Sequence, residues 1–278
     1  MAGRALVLGG GGVTGIAWEI GMLAGLAEAG VDLSAADLVI GTSAGSVVAV
    51  LVRCGIPMEK LYDRQLADSR GEIADRLSRR AMASWAWASL RSRDPQTAGA
   101  RIGRLALTAR TAPEAERRTV IESRLPTREW PPGRLLITAV DAATGEFATF
   151  HRDCGVPLVD AVAASCAVPG VWPPVTIDGR RYIDGGVRSP ANVDLAAGFE
   201  RVVVVAPIAR GAGAVPSVAR QVRALGPGSR VAVVTPDAAA RRAFGNNLLD
   251  PARRAPAARA GRAQAPAQRD AVREVWGG

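Results

Sequence analysis

The chain has almost none of several residue types on which enzymes commonly rely. Among its 278 residues there is one histidine, His151, and one lysine, Lys60. A single histidine makes any Ser–His–Asp triad depend on His151. Three cysteines, Cys54, Cys154 and Cys166, lack metal-like spacing. An odd number with none paired nearby predicts a reducing compartment. No apolar run approaches the roughly 20 residues of a membrane-spanning helix. The first apolar run is broken by glycines within a few residues, so no signal peptide is expected. A cytoplasmic protein without cofactor or metal is the expectation.

What is present begins with apolar bulk. Hydrophobic residues make up 48% of the chain, enough for a sizeable core. The net charge is +9, nearly all of it from arginine. Arginine in that excess fits a GC-rich genome; the positive balance also favours anionic surfaces such as lipid headgroups. No basic motif interleaves with aromatics and no nucleic-acid module is recognisable, so nucleic acid is not expected as a partner.

The most informative stretch is Gly41-Thr42-Ser43-Ala44-Gly45, between the apolar run Asp37–Ile40 and the helical run Ser46–Val52. A Gly-X-Ser-X-Gly turn between strand and helix is a nucleophile elbow. Gly41 and Gly45 permit the tight turn, and the helix start, with the Ala44 amide, favours negative charge beside Ser43. Leu6–Leu8 runs into Gly9-Gly10-Gly11-Gly12 and then a helix from about Ile16 to Ala29. Consecutive glycines can aim several amides at one oxyanion. Tyr182-Ile183-Asp184-Gly185-Gly186-Val187 ends a short strand on a carboxylate followed by two glycines.

These motifs, in this order, resemble the patatin-like phospholipase family over roughly residues 4–210. Ala164-Ser165-Cys166-Ala167-Val168-Pro169-Gly170 is similar to the family's segment before its aspartate. The resemblance implies a Ser–Asp dyad of Ser43 and Asp184 without a catalytic histidine, and an oxyanion hole at Gly10, Gly11 and Gly12. Burial near Ile183 and Val187 would raise the pKa of Asp184 toward that of a useful base. Two positions depart from the family. Thr14 stands where a basic residue is usual, which removes an expected positive charge. Val187–Asn192 lacks the usual Asn-Pro pair, so Pro190 and Asn192 are given no role.

Two rival readings exist. Ser43…Asp141…His151 matches the α/β-hydrolase order of nucleophile, acid and histidine. Gly10–Gly15 also fits a dinucleotide fingerprint, but Asp32 precedes the second strand instead of ending it.

Along the chain, strands at Ala5–Leu8 and Leu38–Ile40 alternate with helices. A helical, Arg- and Ala-rich segment spans 56–125. Hairpins are read at 134–150 and 175–183, and strands at Arg201–Ala206 and Arg230–Val234 flank a helix near 220–225. The fold implied is a three-layer α/β sandwich with a mainly parallel central sheet. Residues 1–245 form the hydrolase-like domain, with 56–125 as a cap over the site. Residues 246–278, interrupted by Pro251, Pro256 and Pro266, read as a flexible basic tail. Trp85 and Trp87, two residues apart, do not share a helix face.

The resulting expectation is a serine acyl-ester hydrolase, of phospholipase, lysophospholipase or esterase type, acting on lipid esters with peripheral contact at the inner membrane surface. A lipid-binding protein on the same fold and an acyltransferase are the alternatives. Chain length, headgroup and oligomeric state are not legible.

Overall fold

The computed structural model describes residues 3–67 and 79–277. Residues 68–78, part of the 56–125 segment, lie outside the described residues. Eight strands form one sheet: β1 Arg4–Leu8, β2 Leu38–Thr42, β3 Arg134–Asp141, β4 Phe147–Phe150, β5 Val175–Ile177, β6 Arg180–Asp184, β7 Arg201–Val205 and β8 Arg230–Val234. The helices are α1 Gly12–Glu28, α2 Ala44–Arg53, α3 Met58–Leu66, α4 Arg79–Leu90, α5 Pro95–Thr108, α6 Glu114–Arg124, α7 Leu158–Ser165, α8 Val218–Ala224, α9 Ala238–Phe244 and α10 Arg254–Trp276. Hydrogen-bonded neighbours run β5-β6-β3-β2-β1-β7-β8, with β4 also on β3. Pairing is parallel from β3 through β8 and antiparallel at β4, β5 and β6.

Alternation in the strands divides the core into two faces. Leu6, Leu8, Val203 and Val205 point into the larger cluster with Trp18, Met22, Val48 and Ala258. Ala5, Val7, Val202 and Val204 point the other way, against Val193, Phe199 and Val218. Period-two burial on both sides is what a sheet covered by helices on two faces demands, so the α/β sandwich with a mainly parallel sheet is the observed fold. The expected hairpins at 134–150 and 175–183 form as β3/β4 and β5/β6.

The register of β3 positions the site. β4 pairs with Ile137–Val140 of β3 and so takes one edge there. β2 reaches Thr138 and β6 pairs with Ala139–Asp141, which places both on the opposite edge. They approach from opposite directions. The residue after Thr42 and the residue at the end of β6, Asp184, therefore meet at the level of Ala139.

The helical segment is present as α3 to α6. Trp85 is half-buried against the cluster of Ala88, Ile102, Val140, Ile183 and Val187, whereas Trp87 is 60% exposed, so the two point apart.

The C-terminal segment corrects the expectation of a flexible tail. α10 is a 23-residue helix that buries Ala257, Ala258, Gly261, Gln264, Ala265, Val272 and Trp276. Its core-facing side is built mostly from small residues, with the larger Val272 and Trp276 only near its C-terminal end, yet it packs closely. A Cβ on Gly21 of α1 would lie 2.1 Å from the Ala258 carbonyl oxygen, and one on Gly261 2.3 Å from that of Trp18. The Trp18 indole donates to Gln264 Oε1 at 3.2 Å, and the Trp276 indole to the Asp32 carbonyl at 2.9 Å. The prolines do not prevent this. Pro256 falls in the first helical turn, whose amides have no intrahelical acceptor, and only Pro266 interrupts the interior.

Candidate active site

Ser43 sits between β2 and α2 with φ 53° and ψ −119°, a left-handed conformation costly for a residue with a Cβ. Its surroundings pin it there. The Ser43 N–H donates to Ser165 Oγ at 2.9 Å. Its carbonyl accepts from Ser46 Oγ at 2.6 Å and from the Cys166 thiol at 3.2 Å. Burial pushes that thiol up to about 11, so it stays protonated as a donor. The flanking glycines are steric requirements. A Cβ on Gly41 would lie 2.5 Å from Ser46 Cα, and one on Gly45 2.2 Å from the Leu8 carbonyl oxygen.

The hydroxyl faces Asp184. Ser43 Oγ donates to Asp184 Oδ2 at 2.6 Å, and the Gly186 N–H donates to Asp184 Oδ1 at 2.7 Å. Both residues are buried, at 7% and 6% exposure. Burial raises the Asp184 carboxyl to about 6, against the lowering effect of the Ser43 and Gly186 hydrogen bonds. Desolvation therefore outweighs the two donors and leaves a carboxylate that is ionised at neutral pH yet basic enough to take a proton. A Cβ on Gly185 would lie 2.3 Å from Thr138 Oγ1, so the Asp-Gly-Gly turn sits directly on β3.

Of the glycine-loop residues, Gly12 borders the cavity at Ser43 with Val13 and Ala44. Gly10 does not serve as expected. Its N–H donates to the Pro190 carbonyl at 2.8 Å, which turns that amide away from any oxyanion. Gly11 is needed for packing: a Cβ there would lie 2.5 Å from Pro207 Cβ.

Asn192 is the main residue missed by sequence reading. Fully buried, at φ 52°, its side-chain amide faces Thr42 Oγ1 at 3.0 Å, Thr138 Oγ1 at 3.3 Å and the Gly185 carbonyl at 3.3 Å. It ties β2, β3 and the aspartate turn together. An asparagine tolerates the left-handed region better than most residues, but that signal is weak in a sequence.

The rival triad is not assembled. Asp141 accepts from the Ala143 and Thr144 amides and from Arg180. His151 Nδ1 accepts from the Asp153 amide at 3.3 Å and caps a short 3-10 turn. Asp32 likewise caps its own loop through Ser34 and is no ribose ligand at a strand end. Among the described residues no group of three or more His, Cys, Asp or Glu could hold a metal ion.

The cavity above Ser43 has a volume of about 40 Å³, room for a few waters. Arg117, Arg124 and Trp172 line it beside Leu249 and Pro251. The positive charge that Thr14 does not provide is therefore present near Ser43 after all, on α6.

The chain is 30% identical over 213 residues to uncharacterized NTE family proteins of Mycobacterium bovis and Mycobacterium tuberculosis, covering 77% of this chain and 51% of theirs. It thus spans about half the length of these relatives. Among solved structures, VipD from Legionella pneumophila has a TM-score of 0.48 at 13% identity, covering 97% of this chain and 67% of that one. The type III effector ExoU has a TM-score of 0.42 at 16% identity, covering 97% and 53%. The sequence profile of the patatin-like phospholipases matches residues 6–197. That span is well over half of the chain and holds both partners of the Ser43–Asp184 contact, so the chain belongs to the patatin-like phospholipase family.

Proposed function

We propose that the chain is a serine acyl-ester hydrolase that releases fatty acid from lipid esters through a Ser43–Asp184 dyad. The observation that carries this is the 2.6 Å hydrogen bond from Ser43 Oγ to a buried carboxylate of pKa about 6. Asp184 takes the hydroxyl proton as Ser43 Oγ attacks the ester carbonyl. The Gly12 and Ala44 amides at the cavity wall are the donors for the oxyanion. Collapse breaks the ester C–O bond, and the leaving alcohol recovers the proton from Asp184. Water then attacks the acyl-serine, Asp184 takes its proton, and Ser43 is regenerated as the fatty acid departs.

Peripheral membrane contact at the cytoplasmic face is part of the same proposal. Trp87 and Leu105 are 60% and 45% exposed, and Arg91, Arg101 and Arg104 share their groove. Apolar side chains among arginines suit an anionic lipid surface. No described helix is long and apolar enough to cross a membrane. Trp87→Ala should weaken binding to anionic vesicles severalfold in a flotation assay; unchanged binding removes this surface.

The dyad is tested by intact-mass and peptide mapping after an alkyl fluorophosphonate. One adduct on Ser43, lost or greatly slowed in Asp184→Asn, supports the hydrolase. No adduct on folded protein would shift the reading to a lipid-binding protein on this fold.

A further inference from the structure

Helix α6 presents two arginines to the cavity at Ser43. Arg117 and Arg124 are seven residues apart, two turns on one helix face. Arg117 is 6% exposed, and its guanidinium carbon lies 3.6 Å from the centroid of the Trp172 ring, so its plane is held in place. Arg124 is half-buried and borders the same cavity. Both act electrostatically on the Cys166 thiol, which is itself hydrogen-bonded to the Ser43 carbonyl. Neighbouring acids are engaged elsewhere: Glu122 by Arg118 and Arg128, Asp160 by Arg118, and Glu114 by Thr176. Among the described residues Arg124 has no ion pair.

The glycine loop supplies no cation here, since Thr14 stands where a basic residue is usual. Thr14 is fully buried, and both its amide and its hydroxyl face the Leu248 carbonyl, at 3.1 and 3.4 Å. A long side chain there would displace the segment that closes the cavity beside Leu249. The positive charge comes instead from the far wall.

We propose that Arg117 and Arg124 form an anion subsite that holds the phosphodiester of a glycerophospholipid while its ester carbonyl lies at Ser43. This rests on the hydrolase reading above and narrows it: esters carrying a phosphate close to the scissile carbonyl are preferred over neutral esters of equal chain length. A guanidinium presents its N–H donors in a planar fork, the geometry that phosphate oxygens accept.

The test compares dihexanoyl phosphatidylcholine with dihexanoylglycerol, both as monomers, on wild type, Arg124→Gln and Arg117→Lys. The ratio of kcat/KM for the phospholipid to that for the diglyceride should fall about tenfold in Arg124→Gln, as expected for losing a charge-assisted hydrogen bond. Arg117→Lys keeps the charge but loses the fork and the stacking, and the ratio should fall severalfold. A ratio unchanged in both variants overturns the subsite while leaving the hydrolase intact. A second arm needs no turnover. Ser43→Ala protein, with and without Arg124→Gln, is titrated calorimetrically with the two lipids and with glycerol 3-phosphate. Weakened phospholipid binding alone supports the subsite. Equal weakening of both lipids overturns it. Glycerol 3-phosphate binding as tightly as the phospholipid would overturn the assignment to a lipid headgroup and leave a site for free phosphate esters. Failure of wild type to react with either lipid or a fluorophosphonate would instead count against the hydrolase, and the binding arm would still decide the subsite.

Discussion

Helix α1 uses glycine in two ways, at its start and along its middle. At the start, Gly12 adopts φ 62° beside the cavity, a conformation in which a Cβ would also collide with the Leu248 carbonyl at 2.6 Å. In the middle, Gly21 and Gly25 are ordinary helical residues. They are small only so that α10 can approach; a Cβ on Gly25 would lie 2.6 Å from that of Ala265. The first use shapes backbone for chemistry. The second lets two helices pack almost backbone to backbone. A substitution at either place clashes, but only one of the two should alter the reaction itself.

The largest expected effect tests the chemical end. Asp184→Asn should lower kcat by about 10²–10⁴-fold, the usual worth of a positioned base. The same change should stabilise the fold. The Asp184 carboxyl is raised from 3.8 to about 6 in the native protein, so the native state holds this proton more tightly than the unfolded chain does. The group's contribution to stability is complete below pH 4 and is lost as pH rises through about 6. Asparagine avoids that loss and should gain up to about 3 kcal/mol at neutral pH; denaturant melts at pH 4 and pH 7.5 would show the gain only at the higher pH.

Gly21→Val tests the seam. It should cost about 3 kcal/mol of stability through overpacking while turnover per fluorophosphonate-titrated site stays at the wild-type value. A large fall in turnover per site would erase the distinction between the two ends of α1. Ser165→Ala lies on the chemical side without touching substrate. It leaves the Ser43 N–H without its acceptor, at a cost of about 1–3 kcal/mol, and should lower kcat more than it raises KM. The smallest effect is a pH profile. With Asp184 acting as base, kcat/KM should climb about tenfold per pH unit below about 6 and level off above it; a profile without this limb would remove Asp184 as the base.

The two ends of α1 also differ in how far the sequence discloses them. The elbow, the glycine loop and Asp184 are legible because chemistry demands particular residues at fixed spacing. The strands are legible too, because their apolar runs are short and flanked by turn residues. Gly10 shows where this stops: four glycines in a row do not say which amide is already bonded to Pro190. The packing of α10 was hidden for another reason. Alanine and glycine bury little area each, so a helix that docks through them has the composition of a solvated tail, and the prolines reinforce that impression unless their position within the turn is known. Arg117 and Arg124 were out of reach because the fold alone brings α6 to the cavity at Ser43, 74 and 81 residues earlier in the chain.

Under the proposed Ser43–Asp184 dyad, the approach of β2 and β6 along one edge of β3 makes turnover a reporter of folding order. Ser43 and Asp184 are 141 positions apart in the chain, so their contact is among the non-local ones that form slowly. A molecule with α1, α2 and the parallel strands in place but β6 undocked carries its serine without a base. In a refolding experiment, helical signal should therefore return before turnover. A slip of one residue in the pairing of β6 would move the carboxylate about 3.3 Å and turn it to the other face of the sheet, giving a folded but silent protein.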